Sequence, residues 1–237
     1  MKILAIIPAR GGSKGVPKKN IKQLAGKPLI YYTVREAKES QYISRIILST
    51  DCSETIEIAK QYGVEVPFIR PKELSGDNVL DFSVCEHAIK SLKKQEGFIP
   101  DIIVWLRPTS PLREAKHIDE AIDILMSNPA GDSVRSICIA SKHPLKMWKI
   151  KSNRLMSFVP MEVTGIKEQY NCPRQKLPPA YVQNGAIDVV QIRTIVEKKS
   201  ISGDIILPYI MEDIYSINID SQLDFTFAEI LMKDVVV

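Results

Sequence analysis

The densest chemistry in the sequence lies in Pro8-Ala9-Arg10-Gly11-Gly12-Ser13-Lys14-Gly15-Val16-Pro17-Lys18-Lys19-Asn20. Glycines at 11, 12 and 15 allow a backbone to approach an anion and turn its amides toward it. Arg10, Lys14, Lys18 and Lys19 add cations that suit a polyphosphate. The order is G-G-x-x-G rather than the G-x-G-x-x-G of dinucleotide sites, and Gly26-Lys27 runs into Pro28 where a P-loop needs Ser or Thr. A solvated basic loop would account for the lysines, but not for glycines clustered directly after an apolar run.

The elements that must hold this loop alternate along the chain. Ile3 to Ile7, Arg45 to Ser49, Ile102 to Leu106 and Ser133 to Ile139 are short, β-branched and mostly continuous, as suits strands covered on both faces. Leu29 to Glu39, Ser53 to Tyr62, Phe82 to Lys93 and Lys116 to Met126 carry helical spacing. The β-α-β-α order predicts an α/β fold with a mostly parallel, doubly wound, Rossmann-like sheet, in which ligands bind at the carboxyl ends of the strands. From about 140 to 183 prolines and polar turns interrupt the rhythm, so this segment reads as an insertion within a single domain over 1–237. The rhythm returns with a strand at Gly185 to Gln191, a short helix near Ile192 to Lys198, the apolar Ile205 to Ile210, and a closing helix from Ser221 that starts with a capping-box-like Ser221 and Asp224.

Composition sets the class. Hydrophobic residues at 45% and charged residues at 25% exclude a disordered or fibrous chain, and a formal charge of +4 is too small to argue for a nucleic-acid surface. Cys52, Cys85, Cys138 and Cys172 are widely spaced without a CxxC pair, so reduced cytosolic thiols are expected rather than a zinc cluster or disulfide scaffold. No segment is long and apolar enough to span a membrane or serve as a signal. The three histidines, His87, His117 and His143, lack the partners of a catalytic set and are expected to be structural.

The run Ile7 to Gly15, then Lys19-Asn20 and Gly26-Lys27-Pro28-Leu29-Ile30, resembles the opening of the acylneuraminate cytidylyltransferases, the CMP-sialic acid synthetase family. Ser49-Thr50-Asp51, Arg70-Pro71, Glu73-Leu74, Pro108-Thr109-Ser110-Pro111-Leu112-Arg113, His143-Pro144-Leu145-Lys146, Pro173-Arg174-Gln175, Asn184-Gly185-Ala186-Ile187 and Ile219-Asp220 follow in the family's order over nearly the whole chain. The resemblance implies CMP transfer from CTP to a nonulosonic, sialic acid-like sugar with release of pyrophosphate, in a cytoplasmic homodimer serving cell-surface polysaccharide synthesis. Arg10 and Lys19 would stabilise charge at the attacked phosphate. Ala9, Gly11, Gly12, Ser13, Lys14, Asn20, Arg70 and Asp77 would hold the nucleotide, with exposed loop polarity the other explanation for Asp77 and the neighbouring Asp81. Asp220, with Asn218, would hold magnesium, although an Asp before a helix can instead be its cap. The inserted segment would carry the dimer contact, and its Lys146 and Arg174 would clamp the sugar carboxylate.

Three positions depart from the family pattern: Arg107 stands where Gln is usual before Pro-Thr-Ser-Pro, Asp188 where Tyr is usual, and Asn218 where the metal site often has a second Asp. With Asn184, the first two would face the sugar, and they could instead pair with each other. Other readings are guanylyl transfer to a sugar 1-phosphate, CMP transfer to 3-deoxy-manno-octulosonate, and a non-catalytic nucleotide-binding relative.

Overall fold

A strand that is apolar at every position needs cover on both faces, and the first strand has it. Ile3, Ala5 and Ile7 pack among Ile30, Val34, Ala59 and Ile118 on one side, while Leu4 and Ile6 pack among Val84, Ala88 and Leu92 on the other. Each fully buried Leu or Ile is worth about 1.5–3 kcal/mol relative to exposure. The computed structural model describes residues 1–235. It orders the elements as β1 (Ile3–Pro8), β2 (Gln23–Leu24), β3 (Lys27–Pro28), α1 (Leu29–Glu39), β4 (Arg45–Ser49), α2 (Ser53–Gln61), α3 (Asp81–Glu96), β5 (Ile102–Trp105), α4 (Ala115–Ser127), β6 (Ser133–Ile139), β7 (Trp148–Lys151), β8 (Arg154–Ser157), α5 (Met161–Thr164), β9 (Tyr181–Gln191), α6 (Ile192–Val196), β10 (Ile206–Ile210) and α7 (Gln222–Val235).

The main sheet has the order β10-β6-β9-β5-β1-β4. β1 pairs in parallel with both β4 and β5, and β10 pairs in parallel with β6. β9 runs antiparallel to β5, with Trp105 opposite Asp188. The expected mostly parallel α/β sheet is therefore present with one reversed strand. Because the chain passes from β1 to β4 on one side and then to β5 on the other, the carboxyl ends of β1 and β5 flank a topological switch point.

Two compact units divide the chain, one of Met1–Ile137 with Asn184–Val237 and one of Cys138–Gln183. In the first, Gly26-Lys27 belongs to the β2–β3 hairpin, where Ala25 and Gly26 take φ of 45° and 81°, as a tight hairpin turn requires. That turn explains the Gly-Lys pair without any phosphate role. A third apolar cluster, with Val16, Leu24, Leu29, Ile219, Phe225 and Met232, docks α7 beside the glycine-rich loop.

The second unit centres on the β7–β8 hairpin, closed by Ser152 and Asn153 with φ of 49° and 57°. Trp148 packs on Tyr170 with ring centroids 4.4 Å apart, and the fully buried Gln169 donates from Nε2 to the Val159 carbonyl at 2.6 Å. Ile150, Leu155, Phe158 and Val163 are exposed.

Candidate active site

The loop that follows β1 and the loop that follows β5 enclose a cavity of about 360 Å³, lined among others by Arg10, Ser13, Lys14, Gly15, Lys19, Asn20, Arg70, Asp77, Asp81, Arg107, Thr109 and Asp220. β1 ends at Pro8, so its continuation must leave the sheet at the carboxyl edge. The Ala9 amide still donates to the Ser49 carbonyl at 2.9 Å, which anchors the loop before it turns.

The three glycines of that loop do different jobs. The Gly11 amide is committed to Asp51 Oδ1 at 2.9 Å, and a Cβ at Gly11 would lie 2.9 Å from Cys52 Cβ, so this glycine allows close packing and its N–H is not aimed into the main cavity. Gly12 has open space where a Cβ would stand. Gly15 lines the cavity, and a Cβ there would overlap the Asp220 carbonyl oxygen. Of the residues expected to act on the phosphate, Arg10 and Lys19, and those expected to hold the nucleotide, Ser13, Lys14, Asn20, Arg70 and Asp77, all are brought together around the cavity, whereas Ala9, Gly11 and Gly12 lie outside its lining. Gly11 borders a neighbouring cavity at the start of α2, shared with Arg10 and Asn20.

Each cation is oriented. Arg10 pairs with Asp77 at 2.8 Å, and Lys14 pairs with the other oxygen of the same carboxylate. Lys14, then Arg10, holds the Asp77 carboxyl below its usual range. Lys19 Nζ donates to the Ile219 carbonyl at 2.6 Å and lies 3.3 Å from Asp220 Oδ1. Asn20 Nδ2 donates to the Arg10 carbonyl at 2.9 Å. Arg70 is 4% exposed and donates from Nε to Ser49 Oγ at 3.0 Å. Burial lowers its pKa to about 10 against the opposing pull of Asp51 and Asp81.

At the other end Arg107 bonds Asp188 at 2.9 Å, Asp81 at 2.5 Å and the Gly185 carbonyl at 3.3 Å. Asp188 also accepts from Arg135 Nε at 2.6 Å. The pairing of Arg107 with Asp188 is thus present, and Asp188 itself sits behind Arg107 rather than in the cavity lining. Asn184 is buried, its Oδ1 accepting from Ser136 and its Nδ2 donating to Ser216. The structure places it inside the first unit and not at the cavity. Lys146 and Arg174 belong to the second unit, where Lys146 Nζ donates to the Tyr170 carbonyl at 3.3 Å and Arg174 donates to the Ala140 carbonyl at 2.7 Å.

Asp220 is not the cap of α7. Ser221 Oγ accepts the Asp224 amide at 3.3 Å while Asp224 Oδ2 takes the Ser221 amide at 2.7 Å, so Ser221 and Asp224 form the capping box. The Asp220 side chain, 71% exposed, faces Lys19 and accepts from Asn218 Nδ2 at 2.6 Å. Asn218 therefore turns its amide nitrogen to Asp220 and lies outside the cavity lining. Among the described residues no three His, Cys, Asp or Glu side chains cluster to hold a metal. The donor set at Asp220, one exposed carboxylate beside the cationic glycine-rich loop, fits a hard divalent cation that completes its shell with phosphate oxygens and water.

The histidines do structural work. His117 Nδ1 accepts the Glu114 amide at the start of α4, His143 Nδ1 accepts the Leu145 amide, and His87 stacks edge-on against Phe68. Sequence reasoning counted Gly15 in the loop without assigning it to the nucleotide, and missed Thr109 as a lining residue. The third glycine of the loop was the available signal for one, and the Pro108-Thr109-Ser110-Pro111 turn for the other.

The cytidylyltransferase family profile matches residues 4–153. The chain is 34% identical over 234 residues to the CMP-N,N'-diacetyllegionaminic acid synthase of Legionella pneumophila, covering 98% of this chain and 97% of that one. It is 33% identical over 227 residues to the N-acylneuraminate cytidylyltransferase of Escherichia coli, covering 96% of this chain but 51% of that protein, so it spans about half that relative's length. The solved structure of a CMP:2-keto-3-deoxy-manno-octonic acid synthetase complexed with CTP superposes with a TM-score of 0.73 over 99% of this chain and all of that one, at 14% identity, which speaks for the fold alone.

Proposed function

Because the chain belongs to the cytidylyltransferase family, we propose that it transfers CMP from CTP to an acidic nonulosonic sugar with release of pyrophosphate. The observation that carries this reading is the single cavity in which Arg10, Lys14, Lys19 and Asp220 converge at the switch point of a sheet shared with that family.

Nucleotidyl transfer needs the attacking hydroxyl, the α-phosphate and the leaving pyrophosphate held in line, with positive charge where negative charge accumulates. Arg10 and Lys19 are the groups for that task. Lys19 is pre-oriented by the Ile219 carbonyl, so its ammonium need not reorganise as charge builds. Ser13 and Lys14 line the same end, and Asn20 and Arg70 support the nucleoside. Asp220, oriented by Asn218, would hold magnesium together with phosphate oxygens, and the ion when bound supplies further positive charge to those oxygens. No side chain need form a covalent intermediate.

The acceptor enters from the Arg107 side. The apolar, exposed hairpin of the second unit supports a role as the contact between two copies of the chain, with Lys146 and Arg174 supplying cations for the sugar carboxylate. Among the described residues no helix is long and apolar enough to cross a membrane, and the reading places the reaction in the cytoplasm.

The test is pyrophosphate release by purified protein with magnesium, each of the four nucleoside triphosphates, and a panel of sugars. Activity confined to CTP plus a nonulosonic acid is expected. Activity confined to GTP plus a sugar 1-phosphate, or tight CTP binding with no turnover on any acceptor, would overturn the proposal.

A further inference from the structure

We infer that Arg107 recognises a neutral carbonyl oxygen of the acceptor, of the acylamino kind, and not the acceptor's carboxylate. This rests on the reading of the cavity as a cytidylyltransferase site with a nonulosonic acceptor.

A guanidinium has five N–H donors. Arg107 commits three of them, to Asp188, to Asp81 and to the Gly185 carbonyl, and two remain on a side chain that lines the cavity. Charge decides what those two can bind. Asp188, with its side chain 2% exposed, is shared between Arg107 and Arg135, and Asp81 sits on the far side of Arg107. Two guanidiniums therefore face two carboxylates, and the cluster has no net charge to offer an anion.

An acceptor carboxylate placed here would lose its water and meet Asp81, with both guanidiniums of the cluster already paired. A neutral amide oxygen gives up far less hydration and still gains strong donors. The contrast with Arg70, in the same wall, lies in direct contact: among the described residues Arg70 makes no salt bridge within 4.0 Å, its guanidinium bonds Ser49, and Asp51 and Asp81 act on it from farther away.

The donor is also fixed in place. Arg113, 1% exposed, donates to the carbonyl of Arg107 at 3.3 Å and to that of Ala186 at 2.6 Å. Ala186 follows Gly185, whose φ of +72° turns its own carbonyl onto Arg107. Backbone and guanidinium are thus held by the same segment of β9, and the free N–H groups keep one direction.

The experiment compares the full chain with Arg107→Met and Arg107→Gln, using CTP, magnesium and three nonulosonic acceptors: N,N'-diacetyllegionaminic acid, N-acetylneuraminic acid and 3-deoxy-D-glycero-D-galacto-nonulosonic acid, which has a hydroxyl in place of the acylamino group. The first two carry acylamino groups, the third has none, and all three carry the carboxylate. For Arg107→Met, the ratio of kcat/KM for the better acylamino acceptor to that for the hydroxyl-bearing nonulosonic acid should fall at least tenfold, while KM for CTP moves less than threefold. Arg107→Gln keeps an amide donor and should recover part of that ratio. Equal loss on all three acceptors would mean that Arg107 reads the shared carboxylate, and would overturn the inference while leaving the cytidylyl-transfer reading intact. A ratio that does not change in either variant overturns it as well. Wild-type protein without turnover on any acceptor would overturn the underlying reading and the inference together. A cooperative thermal unfolding transition in each variant reports that it is folded.

Discussion

At the glycine-loop end of the cavity the charged groups are partly solvated, with Lys14 at 83%, Asp77 at 37% and Arg10 at 33% exposure, while at the Arg107 end the central carboxylate, Asp188, is 2% exposed. The first set consists of ion pairs that water and salt can replace, each worth about 0–1 kcal/mol. The second is a desolvated network in which removal of one partner strands another. One end is built to exchange its anion, and the other to keep it. That division suits a reaction in which polyphosphate enters and pyrophosphate leaves at one end while the acceptor is discriminated at the other.

The largest effect that would sharpen this contrast is expected from Lys19→Ala, which removes a pre-oriented cation at the proposed site of charge development. A loss of roughly a hundred- to a thousand-fold in kcat is expected, read by steady-state pyrophosphate release, and a loss confined to KM would break the comparison. Gly15→Ala comes next. Its Cβ must displace the Asp220 carbonyl, and a shift near 1 Å can cost about a hundred-fold in kcat/KM, whereas Gly12→Ala, facing open space, should stay within about twofold of wild type.

Asp188→Asn probes the fixed end. Two partly buried guanidiniums lose their shared anion, and a destabilisation of about 3 kcal/mol should lower Tm by about 6–12 °C, measured by thermal unfolding. Asp77→Asn gives the smallest effect and the opposite sign for ligand. Tm should hardly move, and inorganic triphosphate should bind about two- to fivefold tighter, because the carboxylate that occupies Arg10 and Lys14 has lost its charge. Calorimetric titration with triphosphate checks this. Weaker binding in Asp77→Asn would instead make Asp77 a ligand contact.

Much of the fold is legible because its signals are local. Arg45 to Ser49 and Ser133 to Ile139 are strands at the residues where their β-branched runs begin and end, and Leu29 to Glu39 is a helix over its whole amphipathic stretch. The reversal of β9 is not legible, since direction depends on which neighbour a strand meets and not on its own pattern. The site divides in the same way. Arg10, Lys14 and Lys19 stand out because cations beside glycines after a strand have a single obvious use. Gly11, Gly12 and Gly15 are identical in sequence terms and differ only in what faces them, Cys52, open space and Asp220. Asn184 and Asp188 read in one dimension as residues that face the sugar. They are interior because Ser136, Ser216, Arg107 and Arg135, each distant in the chain, reach them to satisfy their hydrogen bonds.

The bond from Lys19 Nζ to the Ile219 carbonyl joins residues 200 positions apart, and the Ile219 amide donates in turn to the Thr109 carbonyl. Contacts of such separation form late, because the loops they close are the longest and entropically the most costly. The β1–β4–β5 core can therefore assemble before its glycine loop is rigid, and the docking of α7 is expected to set Lys19 and Asp220 in register. A folding intermediate that lacks α7 would hold a finished sheet and an unfinished site, so recovery of activity during refolding should lag behind recovery of the sheet's burial.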